Sequence, residues 1–175
     1  MDEMRYGTRT IVAKKWMTKG CRPITPMKYG YKYSYLFQAT HPFTGNTFEM
    51  LLPNMDGLCF KIFMKGFDKM YPNQTMIMDN AGCHQVGWDE TEEKPSTKIV
   101  FLPPYSPDFN PQERMFQEIK KPLKGKVFHD LKPIEDIIVE KVKDFENNPQ
   151  AVKDLTAWKW IVKNTKWVQS INTNN

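Results

Sequence analysis

Apolar positions along the chain fall into a few distinct spacings. From Tyr29 to Thr40 the pattern alternates. Tyr31, Tyr33, Tyr35 and Phe37 share one face while Lys32, Ser34, Leu36 and Gln38 share the other, which predicts a strand. The turn-rich run His41-Pro42-Phe43-Thr44-Gly45-Asn46 follows, and Thr47 to Leu52 reads as the returning strand of a hairpin with a longer loop. Over residues 57–70 the period changes: Phe60, Phe63, Phe67 and Met70 recur at steps of 3, 4 and 3, the mark of a helix with one buried stripe. Tyr71-Pro72-Asn73 ends it. Thr75 to Met78 is a short buried strand leading into Asp79, and Lys98 to Leu102 is the next strand. Between them residues 85–97 are polar, with Asp89, Glu90, Glu92 and Glu93 clustered, and read as a loop or a short exposed helix.

The stretch 103–111 is rich in proline, which lacks the backbone donor and fixes φ, so it is neither helix nor central strand. Pro111 suits the first turn of a helix, which should run to about Lys121, where Pro122 and Gly125 end or kink it. Ile134, Ile137, Ile138, Val142 and Phe145 mark a further amphipathic helix, stopped by Asn147-Asn148-Pro149. Val152, Leu155, Trp158, Ile161 and Val162 mark a last one. No internal repeat or second domain is visible. Mixed strands followed by helices predict an α/β or α+β layer fold.

Composition narrows the class. The 175 residues suffice for one domain with a core, and 40% hydrophobic with 13% aromatic residues excludes a disordered chain. No run approaches the roughly 18 apolar residues of a membrane span. Met1-Asp2-Glu3-Met4-Arg5 lacks the apolar core of a signal peptide. Cys21, Cys59 and Cys83 are far apart with no CxxC pair, so they read as plain thiols in a reducing, cytoplasmic setting. The formal charge is +5, unevenly spread: residues 1–50 carry 8 basic and 3 acidic side chains, 51–113 carry 5 and 9, and 114–175 carry 12 and 8. Basic flanks around an acidic centre suit a polyanion held over a metal site, although on charge alone ordinary solvated surface charge is the favoured reading.

The candidate chemistry lies in the acids. Asp79 ends a strand, a usual place for function in such folds, and Glu113 opens a helix. If the fold brings them together with a third carboxylate near the start, for which Asp2 is the candidate, they form a site for hard divalent cations and phosphodiester chemistry. At 100° per residue Gln117 and Lys120 fall within about 40° of Glu113, and Phe116, Ile119 and Leu123 form an adjacent apolar stripe. Lys120, with Lys121 or Lys124, would then lie where a phosphate backbone could pass. Taken singly, each acid has a plainer reading. Glu113 is favoured by the helix dipole, Asp79-Asn80-Ala81-Gly82 is a good turn, and His84 fits a satisfied loop histidine. No HxxxH or HxxE pattern supports zinc.

The surrounding sequence distinguishes these readings. Met78-Asp79-Asn80-Ala81-Gly82-Cys83-His84 resembles the second-aspartate motif of DDE transposases of the bacterial insertion-sequence branch of the mariner superfamily. Leu102-Pro103-Pro104-Tyr105-Ser106-Pro107-Asp108-Phe109-Asn110-Pro111-Gln112-Glu113 resembles that family's third-carboxylate motif. Lys15-Trp16-Met17-Thr18-Lys19-Gly20 and Ala39-Thr40-His41-Pro42-Phe43-Thr44-Gly45 are similar to further landmarks, and Asp2-Glu3 stands where the family has its first acid. The resemblance covers essentially the whole chain, 1–175. It implies an RNase H-like α/β fold, a central mixed sheet flanked by helices with the first strand incomplete, and Mg²⁺- or Mn²⁺-dependent DNA cleavage and strand transfer. Asp2, Asp79 and Glu113 would hold two ions. Asn80, His84, Asn110, Lys120 and Lys121 would support the site or touch DNA.

Three departures stand out. Gln112 replaces a usual isoleucine, Phe116 replaces a usual tryptophan, and the sequence opens at the first acid, so the family's upstream helix-turn-helix region is expected to be absent. Expected partners are DNA (transposon ends and target), an upstream DNA-binding polypeptide or full-length transposase, and further copies of the chain when active, with no membrane. The setting implied is the bacterial cytoplasm, at the nucleoid when DNA is bound. Alternatives are an inactive remnant that binds DNA or dimerises, and a stand-alone RNase H-like nuclease, against which the long proline-rich motif argues.

Overall fold

The computed structural model describes residues 1–14, 16–22, 24–89, 94–104 and 106–163. Lys15 and Tyr105 of the family-like segments, and Glu90, Glu92 and Glu93 of the acidic cluster, lie outside the described residues.

Asp2–Gly7 (β1), Tyr33–Thr40 (β2) and Thr47–Leu52 (β3) form an antiparallel sheet in the order β1-β2-β3. Asp2 lies opposite Gln38, and Gln38 opposite Glu49, so these three share one face of the sheet. Gly57–Met70 (α1) is the predicted helix, opened by Asp56, whose carboxylate accepts from the Cys59 N–H at 2.8 Å. Thr75–Met78 (β4) and Lys98–Phe101 (β5) pair in parallel. Gln112–Lys120 (α2) passes into a single tight turn at Lys121–Leu123, followed by Lys132–Glu146 (α3) and Pro149–Thr156 (α4).

The strand in the hairpin begins at Tyr33 rather than Tyr29, and its alternation does not separate core from solvent. Both faces of β2 are buried because helices cover the sheet on two sides. Phe37, Ala39 and Phe48 pack with Phe60, Phe63 and Met64 of α1. Leu36, Met4 and Tyr6 pack with Met115, Phe116 and Ile119 of α2, Ile134 and Ile138 of α3 and Val152 of α4. The Phe116, Ile119 and Leu123 stripe is buried as predicted, so a phenylalanine suffices at position 116.

The central sheet is split into two hydrogen-bonded parts. Among the described residues no ladder joins β1-β2-β3 to β4-β5. The two parts meet where the Met1 ammonium donates to the Ile77 carbonyl at 2.8 Å. The last predicted helix is also interrupted. At Ala157 (φ −80°, ψ 61°) the backbone leaves the helical region, and the buried Thr156 hydroxyl donates back to the Val152 carbonyl at 2.7 Å. Among the described residues no helix is long and apolar enough to cross a membrane.

Candidate active site

Successive side chains on a strand point to opposite faces, so Asp2 and Glu3 reach into different parts of the molecule. Asp2 shares its face with Met4 and Tyr6, toward α2. Its Oδ2 accepts from Asn110 Nδ2 at 2.9 Å, and its Oδ1 accepts from the Glu3 N–H at 2.8 Å. The same Asn110 side chain, buried, accepts through Oδ1 from the Gln112 N–H at 3.1 Å, and its carbonyl accepts from the Glu113 N–H at 3.3 Å. One amide therefore caps the helix that carries Glu113 and holds the carboxylate of Asp2. Burial pushes the Asp2 carboxyl up to about 7. The Glu3 N–H and the Met1 ammonium oppose the shift, while the Glu3 and Glu113 charges add to it. Burial lowers the pKa of Lys120, two turns along α2 from Glu113, against the pull of the Glu113 and Asp2 charges.

Glu3 points the other way, into the α1 side. Its Oε1 lies 2.8 Å from His84 Nε2, and His84 Nδ1 lies 2.9 Å from the Asp79 carbonyl and 3.0 Å from Asp79 Oδ1. Phe60 of α1 packs on the imidazole with ring centroids 4.9 Å apart. The Glu3 and His84 side chains are 1% and 0% exposed, whereas that of Asp79 is 56% exposed. Burial lowers the His84 pKa, but the hydrogen bond and charge of Glu3, with the carbonyl and charge of Asp79, outweigh it and the net shift is upward. An imidazolium donates from both nitrogens, which is what this ring of acceptors asks for. Asp79 Oδ1 also accepts from the Ala81 N–H at 3.2 Å, closing the turn.

Among the described residues, the group of metal-capable atoms lying within 4.8 Å of one another is Glu3, Cys83 and His84. Both nitrogens of His84 are engaged, and burial pushes the Cys83 thiol up to about 11, so this trio is a hydrogen-bonded ion pair beside a protonated thiol. Asp2, Asp79 and Glu113 do not form such a group. They are joined through Asn110 and through Glu3–His84. Asn80 is exposed and accepts from Gln85 Nε2 at 2.9 Å. Lys121 is exposed and paired with Glu118 at 2.6 Å.

Gln112, the departure from isoleucine, has a partner. Its buried amide donates to Gln38 Oε1, and Gln38 Nε2 donates to Glu49 Oε1 at 2.8 Å. Sequence reasoning named Glu3 only as the neighbour of Asp2 and gave Gln38 no role. The available signal was a polar residue on the inward register of a strand otherwise rich in apolar side chains.

Residues 1–138 match the family described as the DDE superfamily endonuclease. The chain belongs to this family. Its fold is shared with Mos1 transposase, at 14% identity in each case. The Mos1 strand transfer complex aligns with a TM-score of 0.58 over 89% of this chain and 52% of that chain. The Mos1 mariner paired-end complex with Mn gives 0.57 over 93% and 54%, and the paired-end complex with the left transposon end gives 0.53 over 87% and 53%. This DDE endonuclease chain thus has the expected RNase H-like fold, shared with Mos1 transposase, and spans about half the length of those chains. A search of curated proteins finds no sequence match.

Proposed function

We propose that this chain is the catalytic domain of a transposase, cutting DNA at an element's end and joining the freed 3′-OH to a target strand. The carrying observation is the way adjacent residues Asp2 and Glu3 tie the three acidic motifs together. Asp2 is bonded to the Asn110 that caps the Glu113 helix, and Glu3 is bonded to the His84 that grips Asp79. The similar Mos1 structures are a paired-end complex with the left transposon end, a strand transfer complex and a paired-end complex with Mn.

Asp2, Asp79 and Glu113 would hold two Mg²⁺ ions, with Mn²⁺ able to substitute. The donor set fits, since all three offer hard carboxylate oxygens, and a cation beside Asp2 would oppose the burial and the Glu3 and Glu113 charges that raise its pKa to about 7. The chemistry such ions supply is activation of the attacking hydroxyl and neutralisation of charge on the phosphate. Asn110 fixes the Asp2 carboxylate, and His84 fixes that of Asp79. Lys120 meets the phosphate backbone from α2, with Lys121 further out, and Asn80 offers its exposed amide to the strand. The partners are transposon-end and target DNA, bound by this chain without sequence preference and with strong salt dependence. An upstream DNA-binding polypeptide or full-length transposase and further copies of the chain complete the assembly, acting at the bacterial nucleoid.

The test is nicking of supercoiled plasmid in Mg²⁺ or Mn²⁺ by the full chain, alone and joined to a helix-turn-helix partner. Asp79→Asn and Glu113→Gln should each abolish it, and undiminished nicking in either variant overturns the assignment.

A further inference from the structure

Two buried amides, Gln38 and Gln112, lie beside the acidic site and bond to each other. Gln38 stands directly across the ladder from Asp2, on the same face of the sheet. Gln112 immediately precedes Glu113 and opens α2. Gln38 Nε2 goes on to Glu49 Oε1 at 2.8 Å. The Glu49 carboxylate accepts, so Gln38 turns its oxygen to α2 and Gln112 answers with its Nε2. The order of donors along this chain of side chains is thereby fixed.

Gln112 is also held through its backbone. Its N–H donates to Asn110 Oδ1 at 3.1 Å, and Asn110 Nδ2 donates to Asp2 Oδ2 at 2.9 Å. Because Asp2 and Gln38 are ladder neighbours, Asp2, Asn110, Gln112 and Gln38 close a ring. The start of α2 is therefore pinned at two points, once to β1 and once to β2. One pin leaves a helix free to pivot, and two do not. Apolar packing along α2 is non-directional and tolerates a small rotation, whereas a hydrogen bond weakens steeply with angle. Stability alone does not call for the amides, since a buried polar pair can be exchanged for apolar groups of the same shape at little cost.

We propose that Gln38 and Gln112 are positioning residues that fix the spacing of Asp2 and Glu113, and through it the preference of the site for Mg²⁺. The inference rests on the reading of Asp2, Asp79 and Glu113 as metal ligands and adds what sets their spacing. Mg²⁺ demands near-ideal octahedral geometry, whereas Ca²⁺ accepts a looser and more variable set of oxygens. A start of α2 that can pivot should thus cost the site far more Mg²⁺ affinity than Ca²⁺ affinity.

The experiment titrates the full chain calorimetrically with Mg²⁺ and with Ca²⁺, each alone, and records a urea midpoint for every variant. Gln38→Met, Gln112→Met and Glu49→Met together replace the whole relay by side chains of similar length, so that no member is left buried without a partner. This variant should keep the wild-type urea midpoint and the Ca²⁺ affinity. Its Mg²⁺ affinity should fall about tenfold, the lower end for groups that stand behind metal ligands. Glu49→Gln keeps an acceptor for Gln38 and should leave both affinities unchanged. Wild-type Mg²⁺ affinity in the methionine variant overturns the proposal. So does an equal loss of both ions, which would mark general loosening of the site. If the methionine variant does not fold, Gln112→Leu cuts the ring at one bond, keeps the backbone bond to Asn110, and should show the same split between the ions. Unchanged Mg²⁺ affinity or an equal loss there counts against the proposal in the same way. Mg²⁺ binding that survives both Asp79→Asn and Glu113→Gln removes the metal assignment and this inference with it. Binding lost in those two variants but untouched by the loss of the relay removes the inference alone.

Discussion

The two supports of the acidic site differ in kind. On the α2 side a neutral amide, Asn110, holds Asp2, and the carboxylate it holds is partly open. On the α1 side a charged pair, Glu3 and His84, is shut away from solvent and holds an acid that is itself open. A neutral clamp can lose a partner and expose a satisfied carboxylate to water. A buried charged clamp cannot, because what remains is an ion with nowhere to go. Glu3 Oε2 already lacks a hydrogen-bond partner, so this carboxylate depends on His84 for what compensation it has.

The largest effect should therefore come from His84→Leu, which removes the imidazolium and leaves Glu3 buried. The expected loss is about 3–5 kcal/mol of folding stability, the cost of an uncompensated buried charge. Urea denaturation measures it. A loss below about 1 kcal/mol would mean that Glu3 finds water or a proton without His84 and that the pair is not an ionic clamp. Adding Glu3→Leu to His84→Leu should recover much of the loss, since two apolar side chains of fitting volume can replace a buried pair.

A smaller stability effect with a larger functional one is expected at Asn110. Asn110→Ala removes the Asp2 donor and the α2 cap together, at about 1–2 kcal/mol. Asn110→Asp keeps an acceptor for the Gln112 N–H but turns a carboxylate toward Asp2. It should match or exceed the alanine variant in stability while nicking less, because two like charges now share the amide's place. Equal nicking by the two variants would show that Asn110 serves the helix and not Asp2.

The uneven legibility of this molecule follows the same division. Asp79, Glu113 and Asn110 sit in local motifs, where strand end, proline run and helix start stand together in sequence. α1 is legible from Phe60, Phe63 and Phe67, which meet a single core, whereas Met70, the fourth position of the predicted buried stripe, is exposed at the helix end. The hairpin alternation failed to name an outer face because helices distant in sequence cover both sides, and no local period reports that. Glu3–His84 spans 81 positions and Gln112–Gln38 spans 74, so each half looks like an unexplained polar residue until the partner is seen. Gln112 in particular stands out in the sequence only as a departure from isoleucine. It is one end of a buried relay through Gln38 to Glu49, on the same sheet face as Asp2. The bond from the Met1 ammonium to Ile77 spans 76 positions and has no local signal either.

The smallest effect sharpens the comparison at the far end of that relay. Glu49 is a carboxylate whose support is neutral, Gln38 Nε2, and whose neighbours in the groove between β3 and α3 include Lys143 and Glu146. Burial raises its pKa above 4.5, the Gln38 bond opposes the shift, and the Glu146 charge adds to it. The sign runs against stability. Below pH 4.5 the group is protonated folded and unfolded alike and contributes no pH dependence. As pH rises above that value the unfolded chain ionises first, so the folded state loses ground until its own raised pKa is passed, and the loss then stays constant. Glu49→Gln keeps an acceptor for Gln38 and deletes the titration. The variant should match the wild-type chain in acid, gain on it through the window above pH 4.5, and hold a modest constant advantage at neutral pH, as read from urea midpoints across pH. If the wild-type chain is instead the more stable one at neutral pH, the Gln38 bond to an ionised Glu49 outweighs burial, and the neutral clamps of this face are as strong as the charged one behind it.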